Sequence, residues 1–168
     1  MFQINDNVSY TNKGIFQVKN IIEKRKGRKE KEFWYVLHNI KGDVETSITT
    51  PSTNPNLRLI MKKDDILALI DKMPSLTSCW DDDKRIREER FQSMLDSGDI
   101  WMWAQLANTI YLMKKQKEEI KKTISDKDKY FFDRAEDLLF DEISLCFHIK
   151  REEVHDFIFS KLHAQPID

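Results

Sequence analysis

Apolar and polar residues alternate through much of the first sixty positions, and short polar turns separate the alternating segments. This alternation predicts β-strands that expose one face. The segment Phe-Trp-Tyr-Val-Leu at residues 33–37 is apolar throughout, which predicts a strand buried on both faces. The five expected strands lie near residues 8–10, 15–22, 33–37, 44–49 and 57–61.

In the rest of the chain the apolar residues recur every three or four positions, which predicts amphipathic helices. Pro74 ends the first helix; we expect Asp81 to cap the second and Gly98 to close it. Ser125 and Asp128 form a capping box ahead of the fourth. The five expected helices lie near residues 64–73, 82–97, 100–120, 126–143 and 150–162.

Glycine usage separates these two patterns. Gly14, Gly27 and Gly42 lie in the first 42 residues, and Gly98 is the only other glycine in the sequence. We therefore predict the α+β class, with an N-terminal Tudor-like or SH3-like small β-barrel at residues 1–61. A C-terminal bundle of about five helices follows at residues 62–168.

The composition argues against a membrane or secreted protein. Of the 168 residues, 40% are hydrophobic and 34% are charged. No run approaches the roughly 20 apolar residues of a membrane span, and the first residues lack the basic and apolar regions of a signal peptide. Cys79 and Cys146 are isolated, without metal-ligand spacing or a disulfide pattern. We expect a cytoplasmic protein with no membrane contact.

No residue pattern in the sequence is typical of catalysis. The four histidines form no metal signature. There is no glycine-rich phosphate loop, and no serine stands in a nucleophile elbow. Cys79 lacks the His or Asn arrangement that would support a thiol nucleophile. We therefore expect a protein that is not an enzyme and holds neither a metal nor a cofactor.

Trp80 stands at the entrance of the second predicted helix. The basic residues that follow it are Lys84, Arg85, Arg87 and Arg90. Two interpretations of Trp80 remain open: a core side chain packed under a loop, or an exposed wedge beside nucleic acid. Architectural proteins do insert apolar side chains between base steps while nearby cations hold the phosphates. A second basic run, at residues 114–122, is typical of a solvated helix end.

The net charge of −1 limits what such a wedge could do alone. Proteins that bind DNA independently usually carry an excess of Lys and Arg, because neutralised phosphates supply much of the affinity. If the chain contacts DNA, we therefore expect it to bind weakly by itself, and we expect this binding to be non-sequence-specific. A protein partner would have to bring the chain to the DNA.

Several strings, in order along nearly the whole chain, carry a family resemblance. They are Val8-Ser9-Tyr10 with Gly14, Tyr35-Val36-Leu37, Thr50–Asn54, Trp80 with Asp83-Lys84-Arg85 and Arg87, and Ser97-Gly98-Asp99. Their order resembles the CarD family of bacterial transcription regulators. The resemblance implies a Tudor-like domain that binds the β subunit of RNA polymerase. It also implies a helical domain that contacts promoter DNA at the upstream edge of the melted bubble.

The resemblance assigns roles to particular positions. Trp80 matches the tryptophan that wedges into the minor groove. The residues expected to grip the DNA backbone are Lys84, Arg85, Arg87 and Arg90, with Lys114, Lys115 and Lys117 as a second strip. The residues expected to bind polymerase are Arg25, Thr46, Ser47 and Ile48. We expect the protein to act as a monomer.

The sequence departs from the family pattern near both predicted interfaces. Asp81 and Asp82 follow Trp80 where some relatives carry basic residues, and they would repel phosphate unless they turn into the helix cap. Ser47 falls near a position where some relatives carry an arginine. The acidic run leaves a second interpretation open: a protein–protein adaptor whose helical half never contacts DNA.

Overall fold

The computed structural model describes residues 1–42 and 47–164. The chain divides into two compact units, Met1–Ile60 and Met61–Asp168, and each has its own hydrophobic core. The first unit is built from β-strands and the second from α-helices. The predicted α+β class is therefore confirmed.

The first unit is a five-stranded antiparallel sheet with the order β4-β3-β2-β1-β5. Its strands are β1 (Asn7–Tyr10), β2 (Ile15–Lys26), β3 (Glu30–Asn39), β4 (Ser47–Pro51) and β5 (Leu57–Leu59). β4 and β5 are the two edges, so the sheet is open within the residues described. A register shift in β2 between Val18 and Asn20 marks a bulge, which increases local twist. The arrangement fits a barrel-like Tudor fold.

One face of this sheet forms the small core, and this corrects the prediction for residues 33–37. Tyr35 and Leu37 on that face are buried, whereas Trp34 and Val36 on the opposite face are only half-buried. Trp34 points to the other face and is half-buried beneath Lys24, whose Nζ lies 3.7 Å from the ring centroid. The prediction of burial on both faces is wrong because β3 belongs to a single layer, in which successive side chains alternate between faces.

The second unit contains five α-helices within the described residues. They are α1 (Lys63–Lys72), α2 (Lys84–Asp96), α3 (Ile100–Glu119), α4 (Asp126–Phe147) and α5 (Val154–Leu162). Their apolar stripes meet in one core, in which Trp103 is buried and its indole Nε1–H donates to the Leu95 carbonyl at 3.1 Å. The predicted bundle of about five helices is confirmed.

Two of the predicted helix caps agree with the structure, and one differs. Ser125 Oγ accepts the Asp128 N–H at 3.1 Å at the start of α4, and Gly98 takes a φ of +71° just beyond α2, as predicted. The cap of α2, however, is Asp83, whose carboxylate accepts the Ile86 N–H at 3.1 Å. The prediction for Asp81 is wrong because the helix begins only at Lys84, so Asp83, with a non-helical extended backbone, is the residue that precedes its first turn.

Leu37 provides a test of the sheet core. Leu37→Ala should lower the free energy of unfolding of the first unit by about 2–5 kcal/mol, because it removes a fully buried side chain and leaves a cavity. Urea unfolding, with hydrogen exchange of β2 and β3 amides to localise the effect, measures this. Thr49→Ala, at an exposed position of β4, should change stability by less than about 0.5 kcal/mol. Equal losses in the two variants would contradict the assigned core.

Candidate nucleic-acid interface

Trp80 is neither deep in the core nor free in solvent. Its indole is half-buried and packs edge-to-face on buried Phe91, with the ring centroids 6.1 Å apart and an interplanar angle of 62°. The indole Nε1–H donates to Asp82 Oδ1 at 3.2 Å. Part of the ring therefore anchors the side chain in the bundle, and the remainder reaches the surface. Trp80 therefore lies between the two interpretations of the sequence, a core side chain and an exposed wedge.

The guanidinium of Arg87 holds one side of this ring. Its Cζ lies 4.3 Å from the Trp80 ring centroid, a cation–π distance. Nε and NH2 donate to the two carboxylate oxygens of Asp128 at 3.0 and 3.2 Å, and NH1 donates to the Asp81 carbonyl at 2.9 Å. A planar guanidinium can make this bidentate contact while it stacks on an aromatic ring, which an ammonium group cannot do.

Asp128 itself is fixed by the start of α4. Its side chain is 1% exposed and accepts a hydrogen bond from the Ser125 hydroxyl at 2.7 Å. It also stands in the first turn of the helix, where the dipole favours a negative charge. The N-terminus of α4 therefore positions Asp128, Asp128 positions Arg87, and Arg87 positions Trp80.

The residues on either side of Trp80 are also held by α2 and α3. Arg90 NH1 donates to the Cys79 carbonyl at 3.0 Å, and Arg90 NH2 lies 3.4 Å from Asp81 Oδ2. The Cys79 N–H donates to Thr109 Oγ1 at 3.1 Å. Burial raises the pKa of the Cys79 thiol, which keeps it protonated and unreactive. Residues 79–81 are thus restrained on both sides of the indole.

Of the second basic run, the structure brings only Lys117 to Trp80. Its Nζ lies 5.5 Å from the indole centroid. Lys115 is exposed and lies over the Tyr111 ring at 5.4 Å, and Lys114 lines a separate cavity with Glu118 and Asp126. Lys117 is therefore the lysine of this predicted strip that lies close to Trp80, and Lys114 and Lys115 make other contacts.

The basic residues of α2 divide into surface and interior groups. Lys84 and Arg85 are exposed at its start, and Lys84 makes only a long contact with Glu88 at 3.8 Å. Arg90 is partly exposed but is engaged with Asp81. Arg87 is only 7% exposed, so the phosphate contact expected for it is corrected to a positioning role.

Sequence reasoning missed the residues that complete the arrangement. The sequence identifies Asp128 as a helix-capping residue, and nothing in one sequence pairs it with Arg87, which lies 41 positions away. Phe91 and Thr109 were likewise not singled out. Their spacing on α2 and α3 marks them as inward-facing, but it does not show which loop they hold.

The predicted polymerase-binding residues lie on the sheet in two places. Ser47 is exposed and Ile48 half-buried on the edge strand β4, opposite His38 and Leu37. Thr46 lies outside the described residues. Arg25 is exposed near the β2–β3 turn, opposite Lys31. Lys31 and His38 are seven residues apart on β3, which corresponds to about 23 Å, so the structure does not bring Arg25 and Ser47 together.

Two other kinds of site are absent from the part of the chain that the structure describes. No group of three or more His, Cys, Asp or Glu side chains there could hold a metal ion. Nor does any of the described helices combine the length and the apolar character that crossing a bilayer requires.

One comparison with known proteins identifies the family. Residues 69–159, more than half of the chain, match the family model described as the CarD C-terminal domain. The chain belongs to the CarD family. The matched residues run from α1 to α5 and include Trp80, Arg87 and Asp128. The predicted resemblance is thus confirmed, and this CarD-family chain is a transcription-related protein. No curated protein matches it.

The Arg87–Asp128 pair can be tested by removing one partner. Asp128→Ala should lower the free energy of unfolding by about 3–5 kcal/mol, because it leaves a buried guanidinium without its counter-charge. The Nε1–H resonance of Trp80, assigned with Trp80→Phe, should also shift as Arg87 leaves the ring. The measurements are urea unfolding and NMR.

A matched control lies on the same helix. Asp133 pairs with Lys129 at 2.7 Å on the surface of α4. Asp133→Ala should change stability little, because exposed ion pairs contribute little, and should leave the Trp80 resonance in place. An unchanged Trp80 resonance in Asp128→Ala would contradict the positioning role.

Proposed function

We propose that this protein binds bacterial RNA polymerase through its N-terminal sheet and stabilises the open promoter complex through Trp80. The observation that carries the proposal is the half-buried indole held between the Arg87–Asp128 pair and Phe91. Family membership favours an interaction with RNA polymerase in general. The β subunit, the promoter DNA and the role of Trp80 are the parts that we propose here.

The geometry suits a wedge because the ring is already ordered. Opening or unstacking a base step requires a few kcal/mol, and ordering a free side chain on binding would add to that amount. Phe91, Arg87 and the hydrogen bond to Asp82 restrain the indole before any DNA arrives. The exposed part of the ring would then pack against the last base pair at the upstream edge of the bubble.

The surrounding charges favour a weak contact with the DNA backbone. Lys84, Arg85 and Arg90 are exposed on α2, and Lys117 is half-buried with its Nζ 5.5 Å from the Trp80 ring centroid. Asp81 opposes them less than its sequence position suggests, because its carboxylate accepts the Asp83 N–H and pairs with Arg90. Asp82 remains exposed, so the local excess of positive charge is small. DNA binding at this site would therefore depend on a second contact that tethers the protein near the promoter.

The edge strand β4 is the candidate for that tether. An exposed edge can pair with a strand of another protein through its main chain, and neighbouring side chains supply specificity. Ser47 and Ile48 stand on this edge. Docking there would convert a weak DNA contact into an intramolecular one with a high effective concentration. A net charge of −1 is compatible with such a mechanism.

The adaptor interpretation is the second candidate, and the exposed carboxylate of Asp82, hydrogen-bonded to the indole, favours it because it would repel phosphate. An indole that packs on Phe91 would be a normal boundary residue in a helical unit that binds only proteins. The two candidates differ in what Trp80 does at a promoter. Both candidates include binding of the sheet to RNA polymerase. The first experiment below therefore tests the role of Trp80, and the second tests the contact with polymerase.

Trp80→Ala should shorten the competitor-resistant lifetime of open promoter complexes about tenfold or more, since 1.4 kcal/mol of lost stabilisation corresponds to one decade in rate. Stopped-flow promoter-opening assays with full-length protein and polymerase, at several salt concentrations, measure this lifetime. Tyr130→Ala removes another exposed aromatic side chain, which lies among acidic and basic residues of α4, and should leave the lifetime unchanged. Equal lifetimes for wild type and Trp80→Ala would favour the adaptor.

Ser47→Asp should weaken binding of the full chain to the polymerase β subunit at least fivefold, because it places a desolvated charge in the docked edge. Leu59→Asp is the matched control: Leu59 is 51% exposed on β5, the opposite edge of the sheet. Its affinity should stay within about twofold of wild type, because surface substitutions away from an interface have small effects. Surface plasmon resonance measures both. Loss of binding in Leu59→Asp alone would assign the tether to the other edge.

A further inference from the structure

An apolar groove opens on the helical unit between α3 and α5, both of which pack against α4. This α3–α5 groove has a volume of about 370 Å³. Its lining is mostly apolar and includes Ala107, Leu112, Phe132, Phe140, Ile158 and Phe159. None of these residues belongs to the Trp80 site.

Large apolar side chains remain exposed along this groove. Tyr111 is 43% exposed, Leu112 is 47% exposed and Phe159 is 59% exposed. Single exposed apolar residues are normal on a protein surface, but a contiguous group of them marks an interaction site. The exposed rims also argue against a small ligand, which a pocket would enclose on most sides.

The groove follows the helices for two turns. On α5 its lining residues are His155, Ile158, Phe159 and Leu162, which stand at positions i, i+3, i+4 and i+7. On α3 the stripe from Ala104 to Tyr111 has the same spacing. Seven residues at 1.5 Å each give a length of about 11 Å. A trough of this length and apolar character fits one face of another helix, the mode of binding known as helix-in-groove.

A single carboxylate in the α3–α5 groove indicates the charge of the occupant. Glu136 lies on α4 among the lining residues and is half-buried. Among the described residues its carboxylate has no hydrogen-bond donor. Burial raises the pKa of Glu136, whereas the charges of Arg151 and His155 lower it. Arg151 is, however, paired with Asp137 and Asp141, and His155 faces Asp156 at 3.7 Å, so neither makes an ion pair with Glu136.

This charge distribution disfavours a second copy of the chain as the occupant. In the part of the chain that the structure describes, the lining of the groove contains no Lys or Arg. Two copies meeting face to face would place like charges together, which costs binding energy. A Lys or Arg of a partner protein would instead donate a charge-assisted hydrogen bond to the half-buried carboxylate of Glu136.

We propose that the α3–α5 groove binds an amphipathic helix of a partner protein, with apolar residues at i, i+3, i+4 and i+7 and a Lys or Arg facing Glu136. The Trp80 site and the sheet edge take no part in this contact. The groove is therefore an additional protein-binding surface of the helical unit, and its test is independent of promoter opening.

The probe is a phage-displayed library of 14-residue helical peptides, randomised at the four groove-facing positions and at two neighbouring ones, and selected on the full chain. Enriched peptides should carry the apolar pattern with a Lys or Arg beside it. Fluorescence polarisation should show at least a tenfold loss of affinity for Leu112→Glu. Met102→Glu is the control, because Met102 is 40% exposed on α3 outside the groove, and it should bind as wild type does.

Glu136→Gln distinguishes the contribution of the carboxylate charge to peptide affinity from the contribution of the apolar contacts. It should weaken the selected basic peptide several-fold and should not weaken the same peptide with Gln in place of its Lys or Arg. Circular dichroism checks that each variant is folded, and Trp80→Ala should bind the peptide normally. The proposal is overturned if no peptide is enriched, if Leu112→Glu or Glu136→Gln has no effect, or if ultracentrifugation shows a dimer that Leu112→Glu dissociates.

Discussion

The buried ion pair between Arg87 and Asp128 is the interaction on which the helical unit's candidate DNA-binding site depends. Removing two charges from water is costly, and only good geometry with further hydrogen bonds offsets that cost. Here the contact is bidentate, the Ser125 hydroxyl donates to Asp128, and the Asp81 carbonyl accepts from Arg87. The pair joins α2 to α4 directly beneath Trp80. A hydrophobic pair could hold the two helices together, but it would offer the indole no guanidinium to stack on.

This arrangement explains why a half-buried tryptophan suits a nearly neutral protein. A strongly basic surface attracts DNA by charge and can tolerate mobile contact residues, since counterion release supplies much of the affinity. With a net charge of −1, the chain has little of that attraction. A contact that is weak by itself benefits most from a side chain that is ordered in advance. Phe91 and Arg87 restrain the Trp80 side chain in this way. The same contacts reduce the area of the indole ring that is exposed to solvent.

Local features could be predicted from the sequence, whereas pairings between distant residues could not. The Ser125 cap, the Gly98 helix end and most strand and helix positions follow from residue types within a few positions of each other. Trp80 and Lys117 were each singled out, but their proximity depends on how α3 packs. The burial of Arg87 was not predicted, and the prediction that β3 is buried on both faces was wrong, because both depend on which face a neighbouring element covers. The α3–α5 groove has no local signal, since it is a gap between two helices that share a third.

α4 connects the two surfaces of the helical unit. Phe131 packs on Phe91 beneath Trp80, with ring centroids 5.6 Å apart, while the adjacent Phe132 lines the α3–α5 groove. Asp128 and Glu136, two turns apart on the same helix, serve one surface each. Sites that share an element are coupled only if that element has two arrangements between which the ligands discriminate. α4 is a continuous 22-residue helix with a capped start and an apolar stripe fixed in the core. An occupant of the groove would therefore leave Trp80 in place, and the helical unit could hold a protein partner and contact DNA at the same time.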